Sequence, residues 1–225
     1  MTIQEAIQVR HSVRQYIDKP IEAKKIAQLQ ALIDQSNSEA GLHMQLVVNE
    51  PKAFAGGLAK YGKFSGVGNY IAMIAPKGKD VELGYYGEQV VLLAQTLGLN
   101  TCWVGLTFSK QPDQYEIREG EVLNSVIALG YGATQGVQHP QKKTIDNVAE
   151  NKSGAAFPDW FVRGVEAALL APTAVNQQKF LFILHDNNRV EAKARFALSS
   201  YTHTDLGIAK CHFEIGAGKE NFEWV

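Results

Sequence analysis

The chain has 225 residues, 45% of them apolar, and 22 lysines and arginines against 23 aspartates and glutamates leave a net charge of −1. That length and apolar content suit one large domain with a sizeable core, and the balanced charge offers no basic surface for nucleic acid. No run of about 18 apolar residues exists to cross a bilayer, and M-T-I-Q-E-A-I-Q-V-R lacks the apolar stretch of a signal peptide, so a soluble cytoplasmic protein without a membrane partner is expected.

In chain order, Ile3, Ala6, Ile7 and Val9 mark a short helix over 2–9 that ends at the polar run Arg10–Arg14. Pro20 opens a second helix to about Gln35, with Ile21, Ile26, Leu29, Leu32 and Ile33 at helical spacing. Met44–Val48 and Asn69–Ala75 read as buried strands, stopped by Asn49–Pro51 and by Pro76. Glu82–Leu97 reads as a long buried helix closed by Gly98. Thr101–Leu106 and Ser125–Leu129 follow as strands, the latter running into Gly130-Tyr131-Gly132. The polar stretch 134–157 reads as a surface connection. Trp160–Leu170 is a helix stopped at Pro172, Phe180–Leu184 a strand, and Thr204–Ala217 a helix ended by Gly218. Interleaved helices and strands predict an α+β fold, mixed sheets covered by helices.

A faint repeat runs through this order. A helix from Gly87 to Gly98 leads to Cys102-Trp103-Val104, and a helix from Gly207 to Gly218 leads to Glu223-Trp224-Val225. The expected organisation is a single domain over 1–225 with a first half of about 1–133, a linker of about 134–157 and a second half of about 158–225.

Four polar clusters could carry chemistry. Arg10-His11-Ser12-Val13-Arg14 gathers two guanidinium forks and a hydroxyl where a helix ends, a set suited to phosphate oxygens, although alone it reads more readily as a solvated surface turn. Gly98–Gly105 contains a strand ending in Val104-Gly105, where a side-chain-free residue would let a flat ligand approach Trp103, Val104 and Gly105. Pro172, Thr173, Asn176 and Gln178 lie in A-P-T-A-V-N-Q-Q, whose amides suit the mixed donors and acceptors of a heterocycle. Gly130-Tyr131-Gly132 is followed, after His139-Pro140, by Gln141-Lys142-Lys143, a source of further positive charge. Cys102 and Cys211 form no C-x-x-C pair, and neither they nor the six histidines show a zinc pattern, so no disulfide and no metal site is expected.

Together these clusters resemble the nitroreductase family over residues from about 7 to 180. R-H-S-V-R stands for the family's R-R-S-x-R-type motif, A-P-T-A-V-N-Q-Q for A-P-S-x-x-N-x-Q, G-L-N-T-C-W-V-G for G-L-G-x-C-W-x-G, and L-G-Y-G for L-G-Y-P. The order departs from the pattern: the A-P-S-x-x-N motif usually follows the second helix, where this chain has Ser36-Asn37-Ser38-Glu39-Ala40. Family members are commonly homodimers with FMN at the interface. The resemblance therefore implies the subgroup with two fused, diverged halves, a monomeric pseudo-dimer with one FMN, further homodimerisation being left open.

The resemblance also implies the roles. Arg10, His11, Ser12 and Arg14 would hold the FMN phosphate with Lys142 or Lys143. Trp103, Val104 and Gly105 would lie along the isoalloxazine, and Pro172, Thr173, Asn176 and Gln178 would meet it from the other side. NADH or NADPH would reduce the flavin and a small acceptor (nitroaromatic, quinone or flavin type) would reoxidise it by ping-pong kinetics, with no dedicated protein acid or base because the cofactor carries the chemistry. No G-x-G-x-x-G offers a nicotinamide site of Rossmann type. An FMN-holding protein without turnover, a flavin-free interaction module, and flavin-cleaving or dehalogenating chemistry stay open at this point.

Overall fold

The computed structural model describes residues 1–138, 142–197 and 200–225. His139, Pro140 and Gln141 of the fourth polar cluster lie outside the described residues. In chain order the elements are α1 (Ile3–Val9), α2 (Ala23–Ala40), β1 (Gln45–Val47), α3 (Gly57–Tyr61), β2 (Asn69–Pro76), α4 (Asp80–Thr96), β3 (Asn100–Val104), β4 (Glu121–Gly130), α5 (Ile145–Val148), β5 (Ala149–Asn151), α6 (Asp159–Leu169), β6 (Phe180–His185), β7 (Arg189–Ala194), α7 (Thr202–Ala217) and β8 (Glu223–Trp224). The N-terminal sheet has the order β1-β2-β4-β3, antiparallel throughout. The C-terminal sheet has the order β5-β6-β7-β8, with an antiparallel centre and parallel pairs at both edges. The expected α+β architecture of mixed sheets and helices is what forms.

Local chemistry sets the element ends. Thr2 and Glu5 form a reciprocal capping box that starts α1. The second helix runs past its expected end, through Ser36-Asn37-Ser38-Glu39-Ala40, because Ser36 continues the buried stripe of Leu29 and Ile33. Gly41 stops it at φ 63, and the Asn37 amide clasps the Met44 backbone, donating to its carbonyl at 2.9 Å and accepting from its N–H at 2.8 Å. The connection 134–157 is not structureless. It contains α5, opened by a Thr144–Asn147 capping box, and β5, which carries the chain from the N-terminal sheet to the edge of the C-terminal one. Two further elements, α3 and β7, were not expected.

Strand β2 shows why its sequence is apolar without interruption. Tyr70, Ala72 and Ile74 face one core cluster while Ile71, Met73 and Ala75 face another against α2 and α4. A third cluster, rich in phenylalanine, joins the C-terminal sheet to α6 and α7 through Phe161, Phe180, Phe182 and Phe213. The two sheet units meet where α4 lies on α7. There a Cβ on Gly84 would stand 2.1 Å from the Thr204 carbonyl oxygen, and one on Gly207 would stand 1.9 Å from that of Val81. Glycine is required at both positions for the backbones to come this close.

Candidate cofactor site

A cleft of about 780 Å³ opens between the two sheet units. One wall is the segment after α1. Ser12 bridges Thr101 and the Val13 N–H donates to the Thr101 carbonyl at 3.0 Å, so the segment hangs on the edge of β3. This backbone pairing leaves the side chains of Arg10, His11, Ser12 and Arg14 to line the cleft. Arg10 is buried at 7% exposure, so the reading of this segment as a solvated turn fails. Cys102 lies behind the wall; burial pushes its thiol up, while the nearby Arg14 pulls it partly back.

The opposite wall is the loop after α6. Val175, Asn176 and Gln178 all adopt positive φ, at 47, 51 and 47°, a conformation that is strained for a β-branched residue such as valine. Asp205 holds the loop in place: its carboxylate accepts from the Ala174 N–H at 3.0 and 3.1 Å and from the Gln177 amide at 3.0 Å. Burial pushes the Asp205 carboxyl up to about 6, against the downward pull of those same hydrogen bonds. The Gln178 backbone N–H donates to Thr173 Oγ1 at 3.1 Å and its side-chain amide to the Leu169 carbonyl at 2.8 Å.

Behind the first wall a buried polar network reaches from α4 to α7, its Glu88 and His212 outside the lining of the cleft. Glu88 Oε2 accepts from the Trp103 indole N–H at 2.8 Å, and Glu88 Oε1 faces His212 Nε2 at 2.9 Å. His212 Nδ1 faces the Ala167 carbonyl at 3.0 Å. Arg10 Nε stands 3.7 Å from Glu88 Oε1, and Arg10 Nη2 donates to the Leu170 carbonyl at 3.4 Å. Three polar atoms in residues that border this cleft are buried without a hydrogen-bond partner: Arg10 Nε, Ser125 Oγ and Gln178 Oε1. Atoms in that state call for a ligand, because leaving them unsatisfied costs roughly 1–3 kcal/mol each.

Of the residues singled out from sequence, Arg10, His11, Ser12, Arg14, Trp103, Val104, Gly105, Lys142, Pro172, Thr173, Asn176 and Gln178 all border this one cleft. Lys143 is a correction: it does not line the cleft, and the positive charge on this side comes from its neighbour Lys142. Gly105 borders the cleft together with the Tyr201 ring, which packs closely against it. The Tyr201 hydroxyl donates to the Gly105 carbonyl at 2.8 Å, and a Cβ on Gly105 would stand 2.4 Å from that ring. Sequence reasoning missed Glu88, Ser125, Tyr201, Asp205 and His212. A buried acidic residue inside the apolar run of α4 was the available signal for Glu88; the rest are brought in by packing alone.

The family model described as "Putative TM nitroreductase" matches residues 2–217. A solved structure from Thermotoga maritima, described as a putative nitroreductase, is 23% identical with a TM-score of 0.68, covering 99% of this chain and 87% of that one. Another from Desulfovibrio desulfuricans, described as a putative nitroreductase in complex with FMN, is 14% identical with a TM-score of 0.51, covering 70% of this chain and 99% of that one. Both similarities concern the fold. No curated protein matches the chain.

Proposed function

The chain belongs to the TM nitroreductase family, and on that premise we propose that its cleft binds FMN and serves electron transfer from NADH or NADPH to a small acceptor of nitroaromatic, quinone or flavin type. The observation that carries this reading is the cleft itself. Its volume is in the range of cofactor sites, roughly 300–1,000 Å³, and two arginines line it, with three buried, unpaired polar atoms among the residues that border it. A protein of this fold solved with FMN, the Desulfovibrio chain, supports the choice of flavin.

In this reading Arg10, Ser12, Arg14 and Lys142 bind the phosphate, the guanidinium forks in bidentate fashion. The Trp103–Gly105 strand end borders the ring on one side, and Pro172, Thr173, Asn176 and Gln178 border it on the other. FMN, when bound, supplies the hydride chemistry. The chain's own contribution is to bind and orient it and to leave one open face where nicotinamide and acceptor alternate, which gives ping-pong kinetics.

The same reading makes the chain a fused pseudo-dimer, with halves of about 1–133 and 158–225. Reciprocal packing supports it: Gly84 meets Thr204 and Ile208, and Gly207 meets Val81 and Tyr85, each glycine facing residues three before and one after the other. This matches Gly84 to Gly207, three residues from the Gly87–Gly207 correspondence of the sequence repeat. A monomer should therefore bind one FMN, with Arg10 and Asn176 of the same chain on its two sides.

The test is the visible spectrum of the purified protein after FMN addition, with NADH or NADPH added under nitrogen. Bound flavin that bleaches supports the enzyme, and bleached flavin reoxidised by a quinone or nitroaromatic completes the cycle. Flavin that binds without bleaching indicates a flavin-holding protein; failure to bind indicates a flavin-free module on this fold.

A further inference from the structure

His212 lies at 0% exposure on α7, away from the cleft, yet it faces the carboxylate closest to Arg10. Glu88 Oε2 accepts from the Trp103 indole N–H, and Glu88 Oε1 faces His212 Nε2. Both His212 nitrogens face oxygens: the Ala167 carbonyl, which calls for a proton on Nδ1, and the Glu88 carboxyl, which shares one proton with Nε2. With that proton on Nε2 the pair is a buried imidazolium–carboxylate ion pair, a strong charge-assisted contact, and this is the arrangement the proposal takes. Arg10 stands outside it, with Nε 3.7 Å from Glu88 and no hydrogen bond on that atom.

We propose that His212 is a positioning residue: by neutralising Glu88 from the α7 side, it keeps the Arg10 guanidinium free for an anionic ligand in the cleft. Without the imidazolium, Glu88 would be a buried carboxylate whose remaining close cation is Arg10. An uncompensated buried charge is strongly unfavourable, so the guanidinium would move the short distance onto Glu88 and withdraw from the cleft. Arg10 and Trp103 belong to the N-terminal unit and His212 to the C-terminal one, so this pair makes anion binding at one wall depend on the docking of α7. The ligand side of the proposal rests on the flavin reading; the position of Arg10 does not.

Two readouts separate these. In the ligand-free chain, the Arg10 Nε–H resonance, assigned by its loss in Arg10→Lys, reports whether Arg10 pairs with Glu88. FMN affinity, measured by flavin fluorescence quenching, reports the consequence. His212→Gln should shift the Nε–H resonance and weaken FMN binding roughly tenfold or more, the scale of one lost charged hydrogen bond. Glu88→Gln removes the competing anion in a near-isosteric way and should leave FMN affinity within about threefold of the parent, as should Glu88→Gln/His212→Gln, which restores what the histidine change alone loses. A purely structural pair would make the double variant at least as poor a binder as the single. An unmoved Arg10 resonance in His212→Gln, or a double variant that binds no better than the single, overturns the proposal. Should His212→Gln fail to fold, a tenfold loss of FMN affinity in Glu88→Gln overturns it equally. If the parent binds no FMN, the flavin reading fails and the resonance alone decides.

Discussion

The two walls of the cleft are built in opposite ways. The Arg10–Val13 wall is extended backbone that pairs with the edge of β3, which leaves the side chains of Arg10, His11 and Ser12 lining the cleft while Val13 packs into the core. The Ala171–Gln178 wall is contorted backbone, and several of its own polar groups are consumed in holding that shape. One carboxylate from a distant helix, Asp205, completes it. The first wall offers charge on an unstrained support. The second offers backbone shape, maintained by strain and one buried acid, and it is correspondingly the easier of the two to disturb.

The largest expected effect comes from separating the helices from which both walls are braced. Gly207→Val places a side chain 1.9 Å from the Val81 carbonyl oxygen and should cost upwards of about 3 kcal/mol in a denaturant titration. Loss of cooperative folding at 25 °C would be an extreme form of the same outcome, and an unchanged midpoint would mean that α4 and α7 do not cross at this glycine.

Asp205 gives the second wall a pH signature that the first lacks. Its folded value of about 6 lies above the ordinary 3.8, so the folded state holds the proton more tightly than the unfolded one. The stability it contributes is present below pH of about 4 and is lost as pH rises through about 6, to the extent of about 3 kcal/mol. Asp205→Asn cannot titrate there. Its stability relative to the parent should climb between pH 4 and 7, whatever the fixed cost of the altered hydrogen bonds. Parallel stability curves for the two proteins across that range would refute the assignment.

On the first wall the expected loss is of ligand rather than of fold. Arg10→Ala or Arg14→Ala should reduce FMN affinity by about 1.5–3 kcal/mol each, roughly ten- to a hundredfold. Arg14 is exposed, so its replacement should leave the melting temperature within a degree or two of the parent, and calorimetry with and without FMN separates the effects. The smallest change is a gain. Val175→Gly relieves a β-branched residue at φ 47 and should be neutral to about 1 kcal/mol stabilising, since glycine's added chain entropy offsets part of the relief. A clear destabilisation would show that the exposed valine makes contacts that outweigh the strain.

The first wall was legible in the sequence because its function resides in side chains grouped within five residues. The A-P-T-A-V-N-Q-Q loop was legible as a motif, but its strain was not. Positive φ at valine and glutamine contradicts local preference and is held by tertiary hydrogen bonds, those of Asp205 some thirty residues downstream and those of Gln178 to Thr173 and Leu169. Glu88 and His212 escaped for the same reason: each is one of several polar residues in its helix, and their pairing is a property of the α4–α7 crossing. The overrun of α2 shows the bias of composition, since Ser-Asn-Ser reads as loop until a neighbouring helix buries one face of it. Strand β7 was within reach. R-V-E-A-K-A alternates with a period of two, and Asp186-Asn187-Asn188 before it is a hairpin turn, with Asn187 and Asn188 at φ 58 and 55.

The path of β5 gives the molecule a property of modular machines. The chain leaves one complete four-stranded sheet, crosses, and begins the second sheet at its edge before α6 is made. Every strand of each sheet thus lies on its own side of the connection, while the cleft draws on both. A nick in the exposed residues just before Gln138 would yield two pieces, each with an intact sheet and neither with a whole binding site. On the flavin reading such pieces would be the parts of a split reporter, their reunion through α4 and α7 read out as quenching of flavin fluorescence that neither piece could produce alone.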